Sequence, residues 1–184
     1  MKSGTPSWSR IAGRVRVPLG FVAAAVYLWL ARPDWLSIAA GSALAGLGIV
    51  IRALASGHLR KNEELTTSGL YACTRNPLYL GSMIIAAGFA VAARNGWIVV
   101  LLLALFFAVY LPVIRAEEAF LRANFPEYAS YAARVPRLLP RLSGIGKAGS
   151  GFSLELYLKH REYNAILGAL LVIAALVAKL VLSS

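Results

Sequence analysis

Five apolar blocks, at residues 17–31, 35–51, 77–93, 97–114 and 165–182, carry almost no charge. Nothing else in the chain limits its fold as severely. An uncharged block of this length has no polar face to show to water, so lipid must take it. The fourth block has eighteen residues and as a helix covers roughly 27 Å, close to the hydrocarbon thickness of a bilayer. Inside lipid the backbone must satisfy its own hydrogen bonds, which helices do within one segment. The expected class is therefore an all-α integral membrane bundle of about five transmembrane helices. Composition agrees: 59% of the 184 residues are apolar and 15% charged, too little polar surface for a soluble domain.

The punctuation between blocks sets their order. Arg32-Pro33-Asp34 and Arg94-Asn95-Gly96 are tight-turn sequences, so blocks one and two, and blocks three and four, form helical hairpins. Gly41, Ser42, Ala45, Gly46 and Gly48 give the second block the small residues that let helices approach closely in lipid. Residues 115–134 have helical spacing, residues 143–153 read as a Gly- and Ser-rich linker, and residues 154–163 as a short interfacial stretch. Three regions follow: residues 1–56, a basic N-terminal segment and first hairpin; 57–142, two spans with the polar motifs; and 143–184, the linker, interfacial stretch and last span. The first block follows Lys2, Arg10, Arg14 and Arg16 and so imitates a secretory leader. Bulky Trp29 and Leu30 stand where a cleavage site needs small residues, so the block reads as a retained span.

The net charge of +11 does not point to nucleic acid. The basic residues lie at block ends, facing lipid headgroups, and no nucleic-acid motif is present. Fifteen of them fall on one side of the expected bundle and three (Arg32, Arg94 and Lys179) on the other, with Arg52 inside the second span. By the positive-inside rule the N-terminus is cytoplasmic and the C-terminus outside. A bacterial inner membrane suits the small size. Seven of the eight acidic residues share the basic side, and lipid neutralisation needs none of them, so a folded polar site is expected there. The single cysteine, Cys73, excludes an internal disulfide, and His58 and His160 lack ligand spacing, so no metal site is expected. Oligomeric state is not legible.

Two polar constellations flank spans three and four. In the first, Gly69 permits a tight turn, Pro77 suits the first turn of a helix, and Tyr71 and Tyr79 offer aromatic faces to a cation. An interfacial loop with snorkelling Arg75 accounts for this segment equally well. In the second, Arg115-Ala116-Glu117-Glu118 places adjacent carboxylates at the membrane mouth, just after Pro112, which is expected to kink the span. Glu118 could pair with Arg115 or Arg122 at helical spacing, or accept hydrogen bonds from a ligand amine or hydroxyl.

Arg75-Asn76-Pro77-Leu78-Tyr79-Leu80-Gly81 resembles the Arg-His/Asn-Pro-x-Tyr-x-Gly signature of the isoprenylcysteine carboxyl methyltransferase and phospholipid methyltransferase group. Arg115-Ala116-Glu117-Glu118, Phe120-Leu121, Phe125, Tyr128, Tyr131 and Arg134-Val135-Pro136-Arg137 resemble its second block. The likeness runs from about Gly57 to Pro140. It implies S-adenosylmethionine as methyl donor, bound at the cytoplasmic ends of the later spans. It implies Leu65, Gly69, Tyr71, Arg75, Asn76, Pro77, Tyr79, Glu117 and Glu118 as cofactor-binding residues, and Arg75, Arg115 and Glu118 as catalytic ones. Asn76 stands where many relatives have His, Leu70 where a Pro is common, and Phe125-Pro126-Glu127-Tyr128 is one residue short of the frequent pattern. Asn76 still donates and accepts hydrogen bonds but is no base.

Methyl transfer from a sulfonium mainly requires alignment of the nucleophile, worth up to about 7–11 kcal/mol, so no triad is expected. The acceptor implied is a lipid-like or small molecule at the membrane. Two other readings are an NADPH-dependent sterol-type reductase, usually longer, and a non-enzymatic membrane protein on the same scaffold. A reporter fused at Ser184 tests the topology: a periplasmic reporter is expected to be active there and a cytoplasmic one silent, and the reverse would require an even number of spans.

Overall fold

The computed structural model describes residues 20–60, 64–141 and 152–183. The described residues are helix and connecting turns, with no strand among them. The helices are α1 Gly20–Leu30, α2 Trp35–Ser56, α3 Pro77–Ala93, α4 Gly96–Asn124, α5 Tyr128–Arg134, α6 Leu154–Lys159 and α7 Tyr163–Leu182. A 3₁₀ turn, Gly69–Ala72, precedes α3. The chain is a helical membrane bundle. By length and composition α2, α4 and α7 are able to cross a bilayer, and α1 and α3 are shorter apolar helices. At 17 residues α3 is at the low end of spanning length. The basic N-terminal segment and most of the Gly- and Ser-rich linker lie outside the described residues.

Local chemistry explains the hairpins. Asp34 caps α2: Ser37 N donates to Asp34 Oδ1 at 2.7 Å and Asp34 N donates to Ser37 Oγ at 3.0 Å. Arg94 ends α3 in a left-handed conformation, φ 49°, and Trp97 N donates to Asn95 Oδ1 at 2.9 Å to start α4. Arg94 pairs with Asp34, and Arg32 N donates to Ala93 O at 2.8 Å, so the two turns are joined. Beneath them Tyr27, Ala31, Ile38, Ala92, Ala93, Ile98 and Leu176 form a buried apolar cluster. Lys179 of α7 donates to the carbonyls of Leu28 and Trp29 at the end of α1, groups that have no partner within their own helix.

The closest packing is between α2 and α3. A Cβ on Gly41 would lie 2.4 Å from Gly88 O, and one on Gly48 would lie 2.6 Å from Gly81 O. Gly41, Ala45 and Gly48 thus face Gly81, Gly88 and Ala92 with backbone against backbone. Gly46 is not part of this seam, because nothing lies within 4 Å of a Cβ there. At five residues from Gly41 it is turned about 140° further round the helix.

The sequence separates the fourth span from a second helix over 115–134. The structure joins them: α4 runs without a break to Asn124, and only α5 is separate. Pro112 does not end the helix. A π turn, Phe106–Tyr110, precedes it, with Leu111 N donating to Phe106 O. Proline at 112 has no N–H for the carbonyl four residues back and its ring crowds that carbonyl; a widened turn absorbs the mismatch. Glu117 and Glu118 therefore ride on a continuous extension of a membrane helix.

The seam generates a prediction with two signs. Gly41→Ala forces backbones apart and is expected to destabilise the protein by about 1–3 kcal/mol. Gly46→Ala, on the open face, is expected to be neutral or stabilising by up to about 1 kcal/mol. Thermal unfolding of both variants in one detergent measures the difference.

Candidate active site

Residues 57–76 connect α2 to α3, and the turn within them depends on Gly69. Its φ is +59°, and a Cβ there would also lie 3.0 Å from the His58 ring. The conformation therefore favours glycine, and a side chain there would also press on His58. The 3₁₀ turn then leads through Cys73 and Thr74 to Arg75 and Asn76. This stretch is tied to the segment after α5: Arg75 N donates to Pro136 O at 2.9 Å, Arg141 N to Cys73 O at 2.8 Å, and Thr74 Oγ1 to Arg137 O at 3.1 Å. Tyr131 of α5 donates its hydroxyl to Tyr71 O at 2.7 Å. Cys73 is buried in this arrangement and forms no disulfide.

Against it stands the motif turn of α4. Glu118 is buried and holds a cluster of donors. Arg137 forks onto it, with Nε 2.9 Å and Nη2 2.7 Å from Oε2. Asn76 Nδ2 donates to Glu118 Oε1 at 3.3 Å, and Arg75 Nη1 lies 3.6 Å from the same oxygen. The hydrogen bond to Glu118 raises the pKa of Arg137, so the guanidinium is cationic throughout the working range. Sequence spacing offers Arg115 or Arg122 as partners for Glu118. The structure selects Arg137 and Arg75 instead, and Arg122 lies over the Tyr128 ring, 5.9 Å from its centroid.

Glu117 points elsewhere. It accepts from Tyr79 Oη at 3.0 Å and lines a cleft of about 660 Å³, open mouth included. The cleft wall contains Leu65, Tyr71, Arg75, Asn76, Pro77, Tyr79 and Glu117, seven of the residues that the motifs single out. Gly69 shapes the loop without lining the cleft, and Glu118 sits behind the wall. Arg115 is exposed and not in the lining; two residues before Glu117, it is turned about 200° round the helix. Tyr131, Phe120 and Leu121 complete the apolar part. Burial pushes the phenols of Tyr71 and Tyr131 well above the ordinary tyrosine range, so both are neutral rings. Arg75 Nη1 donates to Tyr128 Oη at 3.3 Å, while its buried Nε has no hydrogen-bond partner among the described residues.

A second concavity adjoins the first. An apolar groove of about 1140 Å³, open mouth included, runs between α3 and α4 past Met83, Ala87, Leu102 and Phe106. It ends at Tyr79 and Tyr110, whose rings meet edge to face at 6.3 Å. Tyr79 lines both concavities. The π turn supplies Phe106, Phe107 and Tyr110 to the groove. Arg137 stands in the second motif block, but sequence reasoning did not pair it with Glu118. The available signal was the buried carboxylate's need for a cation, but helical spacing pointed to nearer arginines.

The family model for phospholipid methyltransferase matches residues 23–128. The chain is 46% identical over 85 residues to the cobalt-zinc-cadmium resistance protein CzcN of Cupriavidus metallidurans, a stretch of 46% of this chain and 39% of that protein. It is 38% identical over 84 residues to the nickel-cobalt-cadmium resistance protein NccN of Alcaligenes xylosoxydans xylosoxydans, with the same shares, 46% and 39%. The matched stretch thus spans about two fifths of the length of these curated relatives. No solved structure matches.

Proposed function

The chain belongs to the phospholipid methyltransferase family, and from that premise we propose that it methylates an apolar or amphipathic acceptor using S-adenosylmethionine. One observation carries the reading: a cleft that holds Arg75, Asn76 and Glu117, built from both motif halves, shares Tyr79 with an apolar groove between membrane helices. A charged cofactor and a lipid-like acceptor would meet at that residue.

The cleft has the donor set for the cofactor. The Tyr71 and Tyr79 rings and the Glu117 carboxylate suit its cationic parts, and the Arg75 guanidinium in the cleft wall suits its carboxylate. When bound, S-adenosylmethionine supplies a methyl group already activated by the sulfonium. The chain's own residues then have positional tasks. Tyr79 and Glu117 hold each other at 3.0 Å on two different helices and fix the floor where an acceptor head would lie. Phe120, Leu121 and Tyr131 exclude water from the same wall. Alignment of this kind contributes up to about 7–11 kcal/mol, so a carboxylate acceptor needs only orientation and no base. An amine or thiol acceptor must lose a proton. Asn76 cannot take it; of the two carboxylates that line the cleft, Glu64 lies 3.6 Å from Arg60 and Glu117 stands beside Tyr79, which makes Glu117 the better placed acceptor. Arg115, exposed away from the cleft, is better placed for lipid headgroups than for this chemistry.

We place the cleft on the cytoplasmic face, in keeping with the bias of basic residues, and within residues 57–142 as the functional core. The metal-resistance names belong to the two relatives and do not select an acceptor.

Two measurements test the reading. In the first, Arg75→Ala is expected to weaken S-adenosylmethionine binding at least tenfold, about 1.4 kcal/mol, in calorimetry on the folded protein. Glu127→Ala, outside the cleft, is expected to bind like the unaltered chain, and equal affinity in both variants would reject the site. In the second, acceptors with one head group and increasing chain length are assayed in nanodiscs with labelled cofactor. Methylation is expected to rise with chain length, since each buried methylene contributes roughly 0.8 kcal/mol. Undiminished turnover of the shortest, soluble acceptor would favour a small-molecule substrate.

A further inference from the structure

The two adjacent glutamates do different things, and a residue outside the helix separates them. Glu118 spends its oxygens within the protein: Oε2 on the Arg137 fork, and Oε1 on Asn76 Nδ2, Arg137 Nε at 3.1 Å and, more distantly, Arg75. Glu117 faces the cleft and touches Tyr79. Arg137 also acts through its backbone, because its carbonyl accepts from Asn76 Nδ2 at 3.0 Å and from Thr74 Oγ1 at 3.1 Å. The Asn76 amide therefore donates one proton to Glu118 and the other to Arg137 O. A primary amide has only two such protons, so what remains to Asn76 in the cleft wall is its carbonyl oxygen.

We propose that Arg137 is the positioning residue of this site: it clamps Glu118 behind the wall, sets Asn76 as a hydrogen-bond acceptor, and leaves Glu117 as the ligand-facing member of the glutamate pair. The division of burial fits the role. The Glu118 side chain is 10% exposed and that of Arg137 is 43% exposed, so the guanidinium reaches in from the rim to neutralise a carboxylate that the helix has already buried. A buried carboxylate without its cation is costly, and the cheapest relief open to Glu118 is to turn outward toward water. Removing the Arg137 side chain would thus free Glu118 and take away one of the two acceptors that orient Asn76, the Arg137 carbonyl remaining. The consequence for ligand choice rests on the methyltransferase reading: at Asn76 the site accepts a ligand N–H or O–H and does not donate to one.

Carboxyl footprinting tests the clamp without any ligand. The full chain in nanodiscs is treated with a water-soluble carbodiimide and an amine, and each glutamate is read by mass spectrometry. Glu117 is expected to label at least fivefold faster than Glu118. In Arg137→Gln, Glu118 is expected to approach the Glu117 rate, and in Arg137→Lys, which keeps the charge but not the fork, to reach an intermediate rate. Glu162 reports on the fold, since its carboxylate is 10% exposed and bound by Arg52. Protection of Glu118 that survives Arg137→Gln, or equal labelling of both glutamates in the unaltered chain, would overturn the proposal. So would loss of Glu162 protection in Arg137→Gln and Arg137→Lys alike, because Arg137 would then hold the fold and not this pair. Added S-adenosylmethionine is expected to slow Glu117 labelling at least threefold and leave Glu118 unchanged. Failure of that arm alone would reject the cofactor and leave the clamp standing.

Discussion

The backbones of α2 and α3 touch, and the rest of the bundle is arranged around that contact. Lipid supplies no hydrophobic drive between helices, so dispersion between closely fitted surfaces has to hold them. Glycines at 41, 48, 81 and 88 remove the side chains that would keep the axes apart. The seam continues past the glycines. The stem of Arg52 lies against Gly81, and its guanidinium bonds Leu78 O at 3.3 Å and Glu162 at 2.9 Å. One side chain thus joins α2, the start of α3 and the start of α7, next to the loop that carries Tyr71. The mouth of α3, where Asn76 and Pro77 stand, is held in place by a contact made along the whole helix.

Burial of Glu118 is the second constraint, and it is local. A carboxylate withdrawn from water must be paired or protonated. Here Arg137, Arg75 and Asn76 all converge on it, and they come from two chain segments that α4 does not contain. The same pairing brings the segment after α5 against residues 73–76. The cleft wall is therefore assembled from three distant stretches by one charge. Glu117, one residue earlier on the helix, is turned about 100° and so faces the cleft. The apolar groove meets the cleft at Tyr79 because α3 carries both, one on its first turn and the other along its length.

Much of this was legible in the residues. Charge-free blocks of membrane length impose helices, because no other backbone arrangement inside lipid satisfies its own hydrogen bonds within one segment. The two hairpin turns were readable from Arg32-Pro33-Asp34 and Arg94-Asn95-Gly96, and the Gly69 turn from a glycine whose φ proves to be +59°. Most of the motif residues do line one cleft. What the residues did not show at Pro112 is the π turn before it, through which the helix continues to Asn124.

Sequence spacing alone determined the class of fold, the helical order and the set of polar residues at the membrane mouth, since these follow from local hydropathy and backbone chemistry. Only the tertiary structure decided which glycines form the seam, which arginine neutralises Glu118, and which of two adjacent glutamates faces the cleft. Those choices turn on helix rotation and on contacts between residues far apart in the chain. Arg122 is four residues from Glu118 and Arg137 is nineteen. Arg137 has the place because the chain after α5 returns across Asn76, a path that no local pattern specifies.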